Sequence, residues 1–408
     1  MVRRRALSAA LIVGTLSTSV AHGAEPLRIG VLTDASSLYA DNGGQGSLEA
    51  ARLAVADAGG SVLGRTVELL YADHQSKADI ASSIARKWID ENDVQMITDG
   101  GNSSVALAIN HVSHEKNRIA MFTAAATTDL THKYCSPTTV HYVYDTYSQA
   151  KGAAESVSGF GAATWFFITA DYAFGHAIQR DMTSLINAEG GRVIGSVSAP
   201  VSSADFSSFL LQAHASGAAM IGLANAGEDF IKSVKQAREF GVGGDGRQRL
   251  VATLMFLSDI NGLGLDVARG LTSTEGFYWD QNDETRAFAR RFFAKVNRMP
   301  TSNQAGVYSA VRHYLKAVAA AGGTDAAAVM KAMRDIPVDD FFAHGGRIRA
   351  DGRMVHDMLI VEVKSPAESK APWDYYKILK VLPGREAFLP EDQSACPYLA
   401  STNAVPNK

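Results

Sequence analysis

Short apolar runs and amphipathic stretches alternate along this chain from Leu27 onward. Leu27-Arg28-Ile29-Gly30-Val31-Leu32 predicts a strand, residues 48–58 a helix, and residues 66–71, rich in β-formers, a second strand. Ile80, Ile84 and Trp88 recur at i, i+4 and i+8, with Ala81, Ala85 and Ile89 beside them, which places one apolar stripe on a helix. Residues 94–98 and 119–123 predict further strands, and Val105, Ala108, Ile109 and Val112 mark the helix between them.

The rhythm then restarts. Trp165-Phe166-Phe167-Ile168, residues 193–197, 219–223 and 250–254 predict strands. Between them, helices are marked by Ile178, Met182, Leu185 and Ile186, by Phe209, Leu210 and Ala213, and by Phe230, Val234 and Ala237. Strands that are apolar throughout and alternate with helices predict parallel sheets covered on both faces. Two such series predict an α/β protein of two doubly wound parallel-sheet lobes. Phe288 and Phe292, then Val307, Val311, Leu315 and Val318, carry later helices, and residues 358–363 and 376–381 predict late strands. That order suits a chain that returns to the first lobe and then crosses to the second.

The 408 residues supply two cores at ~100–200 residues per domain. The first residues stand apart. Arg3, Arg4 and Arg5 precede an apolar run over 6–20 and the small-residue site Ala21-His22-Gly23. This pattern predicts a secretory signal peptide over 1–23, cleaved near Gly23–Ala24; the alternative is an uncleaved anchor. No Cys follows the site, which argues against a lipid anchor. Losing three arginines takes the net charge from −3 to −6, a balance that does not point to nucleic acid or an anionic membrane. No later segment is long and apolar enough to span a bilayer, so a soluble exported protein is expected, as a monomer. The two cysteines, Cys135 and Cys396, are expected to form a disulfide after export, the alternative being two unpaired thiols.

Catalytic signatures are missing. The chain has no G-x-S-x-G elbow, H-E-x-x-H helix, Walker loop or C-x-x-C pair. Its G-x-G-x-x-G match, Gly241, Gly243 and Gly246, follows a helix and precedes a strand, the reverse of a dinucleotide loop, and reads as a turn. His111 and His114 are spaced to share a metal, but no third ligand accompanies them, so a solvated helix face is expected. Asp171 is placed for chemistry or for capping the next helix, and the cap is the expectation. No enzyme activity, cofactor or metal is therefore expected.

Ligands of open parallel sheets bind beyond the C-terminal strand ends. Those positions hold residues 33–39, 100–104 and 123–128 in lobe one, and 171–175, 224–226 and 255–256 in lobe two. Ser103, Ser104 and Thr127 offer hydroxyls beside the free amides of a helix start, a combination suited to a carboxylate; ordinary N-capping by the two serines is compatible with this. Tyr39, Tyr172 and Phe174 are candidate walls.

At these residues the chain resembles the type I periplasmic solute-binding proteins of ABC importers, in the branched-chain amino acid class. The resemblance runs through Ile29-Gly30-Val31-Leu32, Gly46, Leu70-Tyr71-Ala72-Asp73, Asn102-Ser103-Ser104, Ala125-Ala126-Thr127 and Asp171-Tyr172-Ala173-Phe174-Gly175. It implies a ligand carboxylate held by Ser103 or Ser104, the Ala125 backbone and Thr127. It also implies Phe174 and Tyr172 as a cover, Tyr39 as a wall and Tyr308 as a further aromatic. It implies three crossovers near 145–147, 274–277 and 350–355, a three-segment hinge. Lobe 1 would span 24–145 plus 276–350, and lobe 2 146–275 plus 351–408.

The chain departs from that family where its amino acid binders place an acid for the ligand ammonium: Met255 and Phe256 stand there, and Asn225 replaces a tyrosine. An unpaired buried ammonium is costly, so an aromatic acid or 2-oxo acid is expected, unless Glu228 or Asp259 supplies the acid. The expected function is ligand capture by hinge closure and delivery to an inner-membrane permease. The alternatives are a periplasmic sensor subunit and, more distantly, a hydrolase.

Overall fold

The computed structural model describes residues 25–157, 159–243 and 246–402, so the expected leader over 1–23 lies outside the described residues. The first sheet joins β1 (Leu27–Thr33), β2 (Ser61–Val62), β3 (Arg65–Asp73), β4 (Val94–Asp99), β5 (Ile119–Phe122) and β6 (Thr139–His141) in the order β2-β3-β1-β4-β5-β6. All pairs are parallel except the β2–β3 hairpin. Helices α1 (Gly44–Asp57), α2 (Ala78–Asn92) and α3 (Ser103–Glu115) follow β1, β3 and β4. The sheet is covered on both faces because its strands alternate their apolar side chains. Ile29, Val31 and Met121 pack with Leu48 and Ala51 of α1, whereas Leu32, Ile97 and Phe122 pack with Ala81, Ala85 and Trp88 of α2. A Cβ on Gly30 would lie 2.6 Å from the Trp88 ring, so glycine is what lets that indole lie flat on β1.

Helix α4 (Thr146–Ser156) opens the second unit, with a capping box between Asp145 and Ser148. Strands β7 (Thr164–Ala170), β8 (Arg192–Ala199), β9 (Met220–Ala224) and β10 (Arg249–Ala252) form a parallel sheet in the order β10-β9-β7-β8. Helices α5 (Ala173–Ala188), α6 (Ser207–Ala215) and α7 (Glu228–Glu239) alternate with them, and α8 (Leu257–Leu263) and α9 (Leu265–Ala268) follow. After β11 (Thr272–Glu275), the chain returns through α10 (Asp283–Val296) and α11 (Ser302–Ala321), both packed on α1. It then runs through α12 (Ala326–Asp335) and the small sheet of β12 (Val338–Asp339), β13 (His344–Ile348) and β14 (Met354–Val355). Finally β15 (Met358–Val363) and β16 (Tyr376–Leu382) join β11.

The two main sheets have the expected parallel strands, and the late strands pair differently. The order β11-β15-β16 is antiparallel throughout. Five central residues of β16 are exposed, and an antiparallel edge tolerates water where a parallel strand does not. Strand β6 and helix α4 escaped the sequence pattern: the first has three residues, and the second buries mostly small and polar side chains.

Three backbone segments run side by side where the units join. A Cβ on Gly276 would lie 2.9 Å from Val143 and 3.3 Å from His356. The fully buried Arg353 donates to Tyr144 O at 3.2 Å, and His356 Nε2 lies 2.6 Å from Val143 O. These contacts form the three-segment hinge.

Cys135 and Cys396 form a disulfide, Cα atoms 5.6 Å apart, which ties the tail to the loop after β5 across 261 positions of sequence. Asp171 does not cap α5. Its carboxylate is exposed and meets His176 Nε2 at 3.0 Å, and the cap position is Tyr172, without a side-chain bond. His114 Nδ1 lies 3.3 Å from Ser136 Oγ and Nε2 3.2 Å from the Tyr398 hydroxyl. Gly241 follows α7 and Gly246 precedes β10, the helix-to-strand order read from the sequence. No helix among the described residues is long and apolar enough to cross a membrane.

Candidate ligand cleft

The C-terminal ends of β1, β4 and β5 face those of β7, β9 and β10 across a narrow space. Asp34, just past β1, is fully buried and accepts from the Ser37 and Tyr39 amides at 2.9 and 3.0 Å and from Ser76 Oγ at 2.6 Å. That fan of bonds folds the loop back and turns Tyr39 toward the second lobe. There Gly227, with φ +61, brings its backbone so close that a Cβ would lie 2.6 Å from Leu38 O. The two lobes are therefore in contact, in a closed arrangement.

A cavity of ≈ 10 Å³, about the room of one water, remains between them. Lobe one contributes Tyr39, Gly101, Asn102, Ser103, Ala124 and Ala126, and lobe two Tyr172, Phe174, Leu254 and Phe256. The hydroxyls of Tyr39 and Tyr172 are hydrogen-bonded to each other across it. Tyr39 meets Phe256 edge-on, and Tyr172 lies against Phe174 with ring centres 5.9 Å apart. Burial pushes the ionisation of both phenols well up, so both remain neutral donors. None of these ten lining residues is an acid or a base.

The donor end is the start of α3. Asn102, not a serine, is the N-cap: its Oδ1 accepts from the Val105 amide at 3.0 Å. Ser103 Oγ accepts from the amides of Ala126 and Thr127 at 3.3 and 3.1 Å. A hydroxyl whose two lone pairs are occupied has only its proton left to offer, so Ser103 is set to donate toward an anion in the cavity, beside the partial positive charge of the helix start.

The structure brings Tyr39, Ser103, Tyr172 and Phe174 together around this space and places the other candidates elsewhere. Ser104 is half-buried and does not line the cavity. Ala125 points into the lobe-one core while its neighbours Ala124 and Ala126 face the cavity. Thr127 is fully buried, its hydroxyl accepting from the Asp129 amide at 3.3 Å. Asn225 is buried behind the wall on Ser233 Oγ at 3.1 Å, and Met255 lies in the lobe-two core while Leu254 and Phe256 face inward. Tyr308 is on α11, bonded to Asp57 at 2.6 Å and packed between Phe288 and Phe341. Gly101, Leu254, Phe256 and Ala126 enter the lining; adjacent residues on a strand or its extension face opposite ways, so a one-residue offset selects the wrong side.

The acid candidates for an ammonium are not in the lining. Asp259 is buried, accepts from the Phe256 amide at 2.9 Å, and is pushed up to about 7 by burial. Glu228 is exposed on the far side of Tyr39.

A periplasmic binding protein family model matches residues 26–370. Among solved structures, a periplasmic binding protein from Burkholderia mallei is 48% identical, with TM-score 0.90, over 92% of this chain and 100% of that one. A branched chain amino acid ABC transporter periplasmic ligand-binding protein from Burkholderia xenovorans is 41% identical, with TM-score 0.81, over 91% of this chain and 99% of that one. An R. palustris solute-binding protein in complex with 4-hydroxybenzoate is 23% identical, with TM-score 0.77, over 88% and 97%, a likeness of fold. No curated protein matches the sequence. With its two-lobed fold and interlobe cleft, the chain belongs to the periplasmic binding protein family.

Proposed function

We propose that this protein is the substrate-binding component of an ABC importer and closes on a small aromatic carboxylate. The observation that carries this reading is a cavity with a carboxylate-donor end, aromatic walls and no lining acid. An α-amino acid would leave its ammonium without a countercharge there, which is costly. The gap in this arrangement holds about one water, so a ligand enters with the lobes parted and the Tyr39–Tyr172 bond broken; a single-ring acid then meets Phe174 and Phe256 with its ring and Ser103 with its carboxylate, and the two phenols meet ring substituents. The R. palustris relative of the same fold holds 4-hydroxybenzoate, which supports this class; the name of the B. xenovorans relative supports the transporter role.

The lobes in this reading are 24–145 plus 276–350 and 146–275 plus 351–408, preceded by a cleaved leader over 1–23. Ligand contacts made by both lobes favour the closed state in proportion to their strength, and the closed monomer docks on an inner-membrane permease. The protein performs no chemistry on its ligand and uses no cofactor. A thermal-shift screen over aromatic acids, 2-oxo acids and branched-chain amino acids tests the reading, because binding to the native state alone raises the melting temperature. Aromatic acids are expected to give the largest shifts; a shift with leucine and none with benzoates would refute it.

A further inference from the structure

His74, at the end of β3, lies fully buried beneath the cleft floor. Its Nδ1 accepts from the Ser76 amide at 3.0 Å, so the neutral ring carries its proton on Nε2. That Nε2–H has no partner among the described residues. A Cβ built on Gly101 would lie 2.2 Å from Nε2, and Gly101 lines the cleft. The ring edge therefore fills the space that a side chain at 101 would take, and only the Gly101 main chain stands between the orphaned donor and the cleft, one residue from Asn102 and two from Ser103. Buried donors without partners are rare in native proteins and call for an occupant.

The surrounding acids are largely committed. Asp34 accepts from Ser37, Tyr39 and Ser76. Asp73 accepts from the Ala35 and Gln75 amides at 3.0 and 2.8 Å and from Ser36 Oγ at 2.5 Å. Asp99 accepts from the Gly101 amide at 2.9 Å through one oxygen and has the Ser47 and Thr33 hydroxyls beside its carboxylate. Asp99, Gly100 and Gly101 have φ of +80, +81 and +57, and Asp99 is an L-residue in a region that favours glycine. The loop is thus held in a conformation that seats Gly101 directly on the imidazole edge.

We propose that His74 is a further ligand-binding residue, whose Nε2–H, behind Gly101 in the closed form, meets the ligand carboxylate beside Gly101 when the ligand-bearing cleft forms and completes the subsite begun by Ser103. This rests on the carboxylate reading of the cleft. Burial lowers the His74 pKa despite the opposing pull of Asp99, Asp34 and Asp73, so the ring acts as a neutral donor near pH 7.

Benzoate is the probe. Calorimetry on the wild type, His74→Gln and His74→Leu should show affinity within about threefold of wild type for Gln, which keeps an N–H near the same reach, and a loss of at least about tenfold for Leu. In parallel, the wild-type His74 Nε2–H resonance should move downfield with benzoate and stay in place with benzyl alcohol, a readout that survives if His74→Leu fails to fold. Wild type that binds benzoate with an unmoved His74 resonance, or a His74→Leu protein of equal affinity, overturns the assignment. Wild type that binds no carboxylate removes the functional reading and this assignment with it.

Discussion

Tyr39 and Tyr172 meet hydroxyl to hydroxyl, one from each lobe, and close the cavity between them. Each phenol keeps its proton because it is buried, so the pair acts as a neutral clasp that a ligand can join or replace. Removing one hydroxyl leaves the ring walls in place and deletes a single interlobe bond. Such a bond contributes about 0.5–1.5 kcal/mol. Tyr172→Phe is therefore expected to lower benzoate affinity by roughly threefold to tenfold with little change in melting temperature, as read by calorimetry and thermal unfolding.

Ser103 is the more consequential hydroxyl. Its oxygen is fixed by two amides, so its proton has one direction to go. A hydrogen bond to a charged acceptor contributes about 1.5–3 kcal/mol. Ser103→Ala is expected to weaken carboxylate binding by roughly tenfold to a hundredfold, whereas Ser104→Ala leaves it nearly unchanged. The contrast between adjacent serines, measured on the same ligand, checks the geometry.

Glu275, at the second hinge crossing, is buried, accepts from Ser302 and Tyr376, and is pushed up to about 8 by burial. Its unfolded value is about 4.5. Between those values the unfolded chain releases the proton that the folded chain retains, so stability falls as pH rises from about 4.5 to about 8 and levels above that. Glu275→Gln removes this component. Melting curves should show a smaller decline in the variant than in the wild type between pH 5 and 8; equal slopes would contradict the burial argument.

The Cys135–Cys396 bond spans 261 positions and fastens the tail to lobe one. The chain-entropy model assigns such a long loop about 5–6 kcal/mol. Reduction under native conditions, or Cys396→Ser, is expected to lower the melting temperature while leaving benzoate affinity within about twofold, because neither cysteine lines the cavity.

Most of the scaffold was legible in the sequence. Strands such as β4, buried at every position, and helices such as α2, with Ala81, Ala85 and Trp88 on one stripe, carry their structure in their periodicity. Strand β6 did not, since three residues hold no period, and the antiparallel pairing of β11 with β15 depends on partners 84 and more positions apart. The candidate site was legible as a set of strand ends, but not in its facing. Met255 and Ala125 each stand beside the residues that line the cavity, because local twist, invisible in one sequence, decides which neighbour turns inward. Tyr308 followed the resemblance and not the packing, which seats it among Phe288 and Phe341. His74 had no motif; only its closeness to Gly101 reveals it.

The central claim is that the closed cleft accepts a carboxylate and has no place for an ammonium. Titration calorimetry of the folded protein with benzoate and, separately, with leucine tests it most directly. The account requires a saturable heat of binding for benzoate and none for leucine at the same concentrations. Saturable binding of leucine with no heat from benzoate would contradict it.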